Sequence, residues 1–246
     1  MPLLERLTFR SDASKQIYQY VERHGTAARH RTMDAVGLSA DQFREELEWL
    51  LTKGYLEDDG GTLRIDLNAG SVEEHVGAEM QYTIRPARQE DFEGLVETIR
   101  AVTDEDTYVV AESIAERLLY EDAVMRHNTV ESRVFFVATI DGEVVGWAHL
   151  DLPQVEKLQC AAQLTVGVRE EVRHNGIGSR LLGRGLDWAD ANGYHKVYNS
   201  VPATNDAALS FLESHGWETE GIRREHYEVE DTLVDEVMMA YTFTDG

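Results

Sequence analysis

Cysteine is almost absent: Cys160 is the only one among 246 residues, which excludes an internal disulfide framework. It sits in a Gln-Cys-Ala-Ala segment, where an incidental small residue is the ordinary reading and a nucleophile the exceptional one. Lysine is confined to positions 15, 53, 157 and 196, and only four prolines interrupt the chain. No apolar run approaches the roughly 20 residues that a membrane helix needs. The opening residues, MPLLERLTFRSD, lack the uninterrupted apolar core of a signal peptide. No membrane partner is therefore expected, and the expected compartment is cytoplasmic. Negative charge is what abounds, with 46 Asp and Glu against 23 Lys and Arg and a formal net charge of −23. It is dispersed rather than held in a tail, which suits a protein kept soluble where salt screens self-repulsion, a halophilic signature. A surface that attracts cationic substrates is the second reading of the same excess. Hydrophobic content of 42% supports a packed core, and the length allows one large or two small domains.

Residues 1–70 read as a small helical domain ending in a hairpin. Asp12 or Ser14 starts a helix with Ile17, Tyr18 and Val21 on one face, and Gly25 ends it. A second short helix is expected over about 28–36, closed by Gly37. Ser39 is an N-cap before a stripe of Phe43, Leu47, Leu50 and Leu51. A hairpin follows, with its turn at Asp58-Asp59-Gly60-Gly61. Three helices and a hairpin resemble a winged helix-turn-helix. A DNA-contacting third helix should be basic, but this one carries Asp41, Glu45, Glu46 and Glu48 against Arg44 and Lys53. A DNA partner is therefore disfavoured relative to a protein contact, a homodimer or a regulatory role. Residues 71–80, with Gly77 and three acidic residues, read as a linker to a second domain over 81–246.

In that second domain the pattern is a strand from Tyr82 to Pro86, a helix from Gln89 to Val102, an acidic loop and a helix over about 112–127. Strands at 133–140 and 144–150 flank the turn Asp141-Gly142. A strand, a glycine-bearing turn and a helix cover 163–188. A strand at 196–201, a helix at 205–215 and two closing strands, 217–222 and 234–243, complete it. The order β-α-α-β-β-β-α-β-α-β-β fits an α/β fold with a mixed sheet and helices on both faces.

The stretch Gln163 to Trp188 organises this domain. Leu164, Val166 and Val168 alternate as in a strand, and Ile177, Leu181, Leu182 and Leu186 recur at helical spacing. Arg173, Gly176 and Gly178 lie between them, at a helix N-terminus whose unpaired N–H groups and dipole suit an anion. A dinucleotide fingerprint fails because its third glycine would be Leu181. A P-loop fails because Arg184 and Gly185 stand where Lys and Ser or Thr are required. Glycines serving only a tight turn remain an alternative.

The pattern R-x-x-G-x-G after a strand resembles the pyrophosphate loop of the GNAT N-acetyltransferase superfamily. A second segment, Asn205, Ala208, Phe211, Leu212, Gly216 and Trp217, is similar to the family's N-x-x-A and closing G-F pattern, and the whole resemblance spans about 82–244. It implies acetyl-CoA as cosubstrate and direct transfer of acetyl to an amine, either in a protein or in a small molecule. It implies cofactor contacts from Val166, Gly167 and Val168 on the strand, from Arg173, His174, Asn175, Gly176, Ile177, Gly178 and Ser179 in the loop, and from Asn205. No metal is expected. The family's usual proton-transfer residues are missing, because Gln163 stands at the frequent glutamate position and Leu212 at the frequent tyrosine. Replacements are Tyr227 first, then His226, Tyr198, His149, Asp151 and the carboxylates of 104–106. His149 and Asp151 share one face of a strand, for which a solvent-facing edge is the ordinary explanation. Acidic loops at 104–106, 225 and 228–231 suit a cationic acceptor. The alternative function is an acyl-CoA-binding sensor whose winged-helix unit contacts DNA or a protein.

Overall fold

The protein is described by a computed structural model covering residues 7–67, 69–78, 80–103, 109–229 and 231–243. Helix α1 (Asp12–His24) begins at Ser11, whose Oγ accepts from Ser14 N at 3.0 Å while Ser14 Oγ accepts from Ser11 N at 3.2 Å. This reciprocal cap satisfies two donors left over at a helix start. Helix α2 (Arg29–Val36) closes on Gly37 in the left-handed region, and α3 (Ala40–Thr52) is capped by Ser39. Strands β2 (Leu56–Asp59) and β3 (Thr62–Ile65) form the expected hairpin. The sequence pattern missed β1 (Thr26–Ala28), which pairs with β3. Three residues are too few to show an alternation.

The segment 71–80, expected as a linker, holds strand β4 (Glu73–Val76), which pairs antiparallel with β5 (Gln81–Pro86). Its four residues are polar or exposed, so it lacks the apolar alternation that marks a half-buried strand. Side chains from elsewhere fix it. Glu73 is ion-paired with Arg184, which also donates to Ala69 O at 2.7 Å, and His75 stacks on Tyr82.

The remaining elements are α4 (Phe92–Thr103), α5 (Val109–Glu121), β6 (Arg126–His127), β7 (Ser132–Ile140), β8 (Glu143–Leu152) and β9 (Ala161–Val168). They are followed by α6 (Ile177–Ala191), β10 (Lys196–Pro202), α7 (Asp206–Ser214), β11 (Glu218–Val229) and β12 (Thr232–Thr242). Among the described residues the large sheet runs β11-β12-β10-β9-β8-β7-β5-β4, with β6 beside β7. Helices α4 and α5 cover one face over Trp147, Phe135 and Val137. Helix α6 covers the other over Phe136, Ala148 and Leu164. This is the mixed α/β architecture read from the sequence. The apolar residues of the N-terminal unit, including Ile17, Leu47 and Leu63, belong to the same buried cluster as the α6 face.

The helix expected to reach residue 127 stops at Glu121, and Asp122 has φ 52°. Arg133 is 1% exposed and takes the carbonyls beyond it, with Nε donating to Val124 O at 3.0 Å and Nη2 to Ala123 O at 2.5 Å. Those carbonyls accept from a side chain rather than from another helical turn.

Candidate acyl-transfer site

Strands β9 and β10 run parallel and pair only at Lys196↔Ala161, Val197↔Ala162 and Tyr198↔Gln163. Beyond that point each continues with its other neighbour. Strand β9 stays on β8 as far as Val168, and β10 stays on β12 as far as Pro202↔Glu236. Among the described residues Leu164 to Val168 therefore have no strand partner on the β10 side, and a cleft opens there. Thr165, Val166, Asn199, Ser200 and Asn205 line it, with the start of α5 above. The open edge carries Val166, Gly167 and Val168. Gly167 also has a packing cause, because a Cβ there would lie 2.8 Å from the Trp147 ring.

The loop from β9 to α6 is held by its own backbone and side chains. Arg173 N donates to Glu170 O at 3.1 Å, Arg173 Nε to Val168 O at 3.0 Å, and Asn175 Nδ2 to Val172 O and Arg173 O at 3.3 Å each. His174 is exposed with φ 65°, and Gly176 forms the N-cap of α6 at φ 82°. Gly176 is thus required by its backbone. Gly178 differs. Its backbone is ordinary, and a Cβ there would meet Phe211 and Val168 at 3.6 and 3.7 Å, which is normal contact. Nothing in the chain itself demands glycine at 178, whereas an anion approaching the first-turn N–H groups would. Ser179 Oγ lies 3.0 Å from His215 Nε2, which ties α6 to α7. Asn205 caps α7, its Oδ1 accepting from Ala208 N at 3.0 Å, and it faces the cleft.

The proton-transfer candidates separate into two groups. On the β8–β9 side, Asp151 pairs in register with Gln163, and Gln163 with Tyr198. Arg117 donates to Asp151 at 2.9 Å. His149 was expected at a solvent-facing edge and is instead 2% exposed, its ring 4.5 Å from that of Phe135. Strand β8 lies between β7 and β9 beneath α4, so no face of it is an edge. Burial, with Arg133 and Arg117 nearby, pushes its pKa well below the usual histidine range. Neither ring nitrogen of His149, nor Oγ1 of its cross-strand neighbour Thr165, has a hydrogen-bond partner among the described residues.

On the β10–β12 side, Tyr227 Oη donates to Glu236 Oε1 at 3.2 Å. Burial first, and then the Glu236 charge and hydrogen bond, push the Tyr227 phenol up to about 12. Glu236 is 2% exposed and also meets Arg223 at 2.9 Å, His226 at 3.6 Å and the Ser200 hydroxyl. The sequence reading passed over Glu236. The available signal was a carboxylate at the position between Val234 and Met238, where the alternation of a buried strand calls for an apolar residue. The candidates at 104–106, and Glu230, lie outside the described residues.

Known proteins resemble this chain in sequence and in fold. The model of the Acetyltransferase (GNAT) family covers residues 96–217. An N-alpha-acetyltransferase RimI of Mycobacterium tuberculosis is 32% identical over 138 residues, 54% of this chain and 85% of that protein. The chain belongs to the GNAT acetyltransferase family. An N-alpha-acetyltransferase of Sulfurisphaera tokodaii is 28% identical over 158 residues, 60% of this chain and 86% of its own length. A solved GNAT acetyltransferase of Streptococcus pneumoniae superposes with a TM-score of 0.55 at 21% identity, over 66% of this chain and 99% of that one. The GNAT sheet of this chain is extended by β4, which precedes the stretch covered by the family model. As a GNAT-type N-acetyltransferase it transfers an acyl group to an amine. Among its described residues no helix is long and apolar enough to cross a membrane.

Proposed function

We propose that this chain transfers acetyl from acetyl-CoA to the α-amine at a protein N-terminus. The observation that carries the donor is Gly178, a bare first-turn residue that neither backbone nor packing explains. In this reading the first-turn N–H groups of α6 hold the pyrophosphate, with Arg173 adding charge. The unpaired edge at Val166 to Val168 receives the pantetheine arm as an added strand. A backbone N–H of Val166 or Gly167 polarises the thioester carbonyl. Asn205, on the cleft wall, meets the cofactor beyond the thioester. The chemistry supplied by the donor is an activated acetyl thioester, while the enzyme supplies proximity and an unprotonated amine. The α-amine acceptor is supported by the names of the M. tuberculosis and S. tokodaii relatives, both N-alpha-acetyltransferases. An α-amine has a pKa of about 8, against about 10.4 for lysine, so it is the easier of the two to deprotonate. Isothermal titration with acetyl-CoA in molar salt, followed by a CoA-release screen over peptides and small amines, tests this. No binding and no release would end the reading, whereas release with polyamines alone would move the acceptor class.

Tyr227 remains protonated through the neutral range and serves as a proton donor beside the cleft, with Gln163 orienting the acceptor from the opposite strand. A Tyr227→Phe variant is expected to lose about 10-fold or more in turnover, within the usual range for a proton-transfer group, with acetyl-CoA affinity unchanged. Unaltered steady-state turnover would remove Tyr227 from the site. Residues 7–67 are assigned as a winged-helix unit with a protein-contact role, on the basis of its element order and the acidic face of α3. The acetyltransferase unit then begins at about residue 69.

A further inference from the structure

Among the described residues Glu236 is the most deeply buried carboxylate beside the cleft, and its partners arrive from two sides. From β11 come Arg223, whose side chain is 56% exposed, together with His226 and Tyr227. From β10 comes the Ser200 hydroxyl. Ser200 is also a wall of the cleft, and so is Pro202, the register partner of Glu236. The carboxylate is therefore one hydroxyl away from the space in which the β9 edge is unpaired. A carboxylate so enclosed needs a counter-charge and hydrogen bonds, and Arg223, Tyr227 and Ser200 provide them. Burial alone would raise its pKa. Ser200, Tyr227, Arg223 and His226 together outweigh that effect and bring it below the usual glutamate value, so it is anionic where the amine must be received.

We propose that Glu236 receives the acceptor's ammonium group and takes its proton through the Ser200 hydroxyl. This rests on the acetyltransferase reading above and assigns the proton acceptor that Gln163 cannot be. In the step, the ammonium gives a proton to Ser200 Oγ as Ser200 gives its own to a Glu236 carboxylate oxygen. The amine lone pair then attacks the acetyl carbonyl carbon. A C–N bond forms, the C–S bond breaks, and the electron pair goes to sulfur. Tyr227 protonates that thiolate and is restored by the second amine proton, and Glu236 releases its proton to solvent before the next cycle. The carboxylate comes from the last hairpin strand, not from β9 or β10, which frame the cleft.

Two readouts test this in the full-length protein with Glu236→Gln, which keeps the shape and most hydrogen bonds of the side chain. First, alaninamide and N-acetylalaninamide are titrated by calorimetry in the presence of CoA. Affinity for alaninamide is expected to fall at least 10-fold in the variant, with no change for the acetylated compound. Second, turnover is followed from pH 6 to 10. Wild type is expected to hold a nearly level kcat, while the variant loses at least 100-fold at pH 7 and recovers steadily as the free amine deprotonates. Glu236→Asp is expected to restore part of both. Equal alaninamide affinity in the two proteins, or a deficit of the same size at every pH, overturns the assignment. If wild type releases no CoA with any amine, the acetyltransferase reading itself fails, and the calorimetric pair still decides whether Glu236 receives an ammonium group.

Discussion

A Gly178→Val variant is expected to bind acetyl-CoA at least about 100-fold more weakly, a loss of roughly 2.7 kcal/mol, and to melt within a few degrees of wild type. The two halves of this result have separate causes. Valine is a better helix residue than glycine by a few tenths of a kcal/mol. The site has room for a Cβ in ordinary contact with Phe211 and Val168, so the fold should tolerate the change. The first turn of α6 would, however, lose the close approach that a phosphate needs to its N–H groups. Gly178→Ala should fall between the two. Calorimetric titration and thermal denaturation in one buffer check both halves together, and undiminished affinity in the valine variant would refute the loop assignment. Gly176→Val is the poorer probe, because its φ of 82° makes any side chain a strain on the cap itself.

Arg133→Ala is expected to cost about 3–5 kcal/mol of stability, the range for breaking a buried ion pair from one side. Arg133 meets Glu121 and Glu131 at 2.7 Å each and satisfies the carbonyls of Ala123 and Val124. Its removal leaves two carboxylates side by side and two carbonyls without their donor. Glu121 also holds Arg126, which reaches Glu22 on α1, and Glu131 lies near Arg117, which holds Asp151 at the site. The damage should therefore spread towards both the N-terminal unit and α5. Urea denaturation measures it, and a loss below about 1 kcal/mol would mean that these ions carry little of the fold. Arg133→Met should be milder than alanine, since it fills the space but still removes the cation between the two carboxylates.

The element order was legible because most elements carry a clean period and sharp punctuation, such as Ser39 before α3 or Asp141-Gly142 between β7 and β8. The glycine-bearing turn between β9 and α6 was legible because its spacing is local. The readings that failed depend on what another segment supplies. Strand β4 looked like a linker because its anchors are Arg184 and Tyr82, distant in sequence from Glu73 and His75. His149 looked exposed because alternation separates two faces and says nothing of whether helices cover both. Glu236 went unnoticed because its meaning lies in the β10–β12 register, which brings it beside Ser200 across more than thirty positions of chain. Long-range pairing is the information a periodicity scan lacks.

The fixing of Leu67, Ala69, Ser71 and Glu73 onto α6 alters what counts as the enzyme. Trp188 Nε1 donates to Leu67 O, and Arg184 clasps Ala69, Ser71 and Glu73. The family model begins at residue 96, yet the apolar cluster beneath α6 is continuous with that of α1 and α3. A cut made where the family segment begins would bare that cluster to water and remove two strands from the sheet. Residues 7–67, as far as they are described, thus form a permanently attached cover over apolar surface continuous with the inner face of α6.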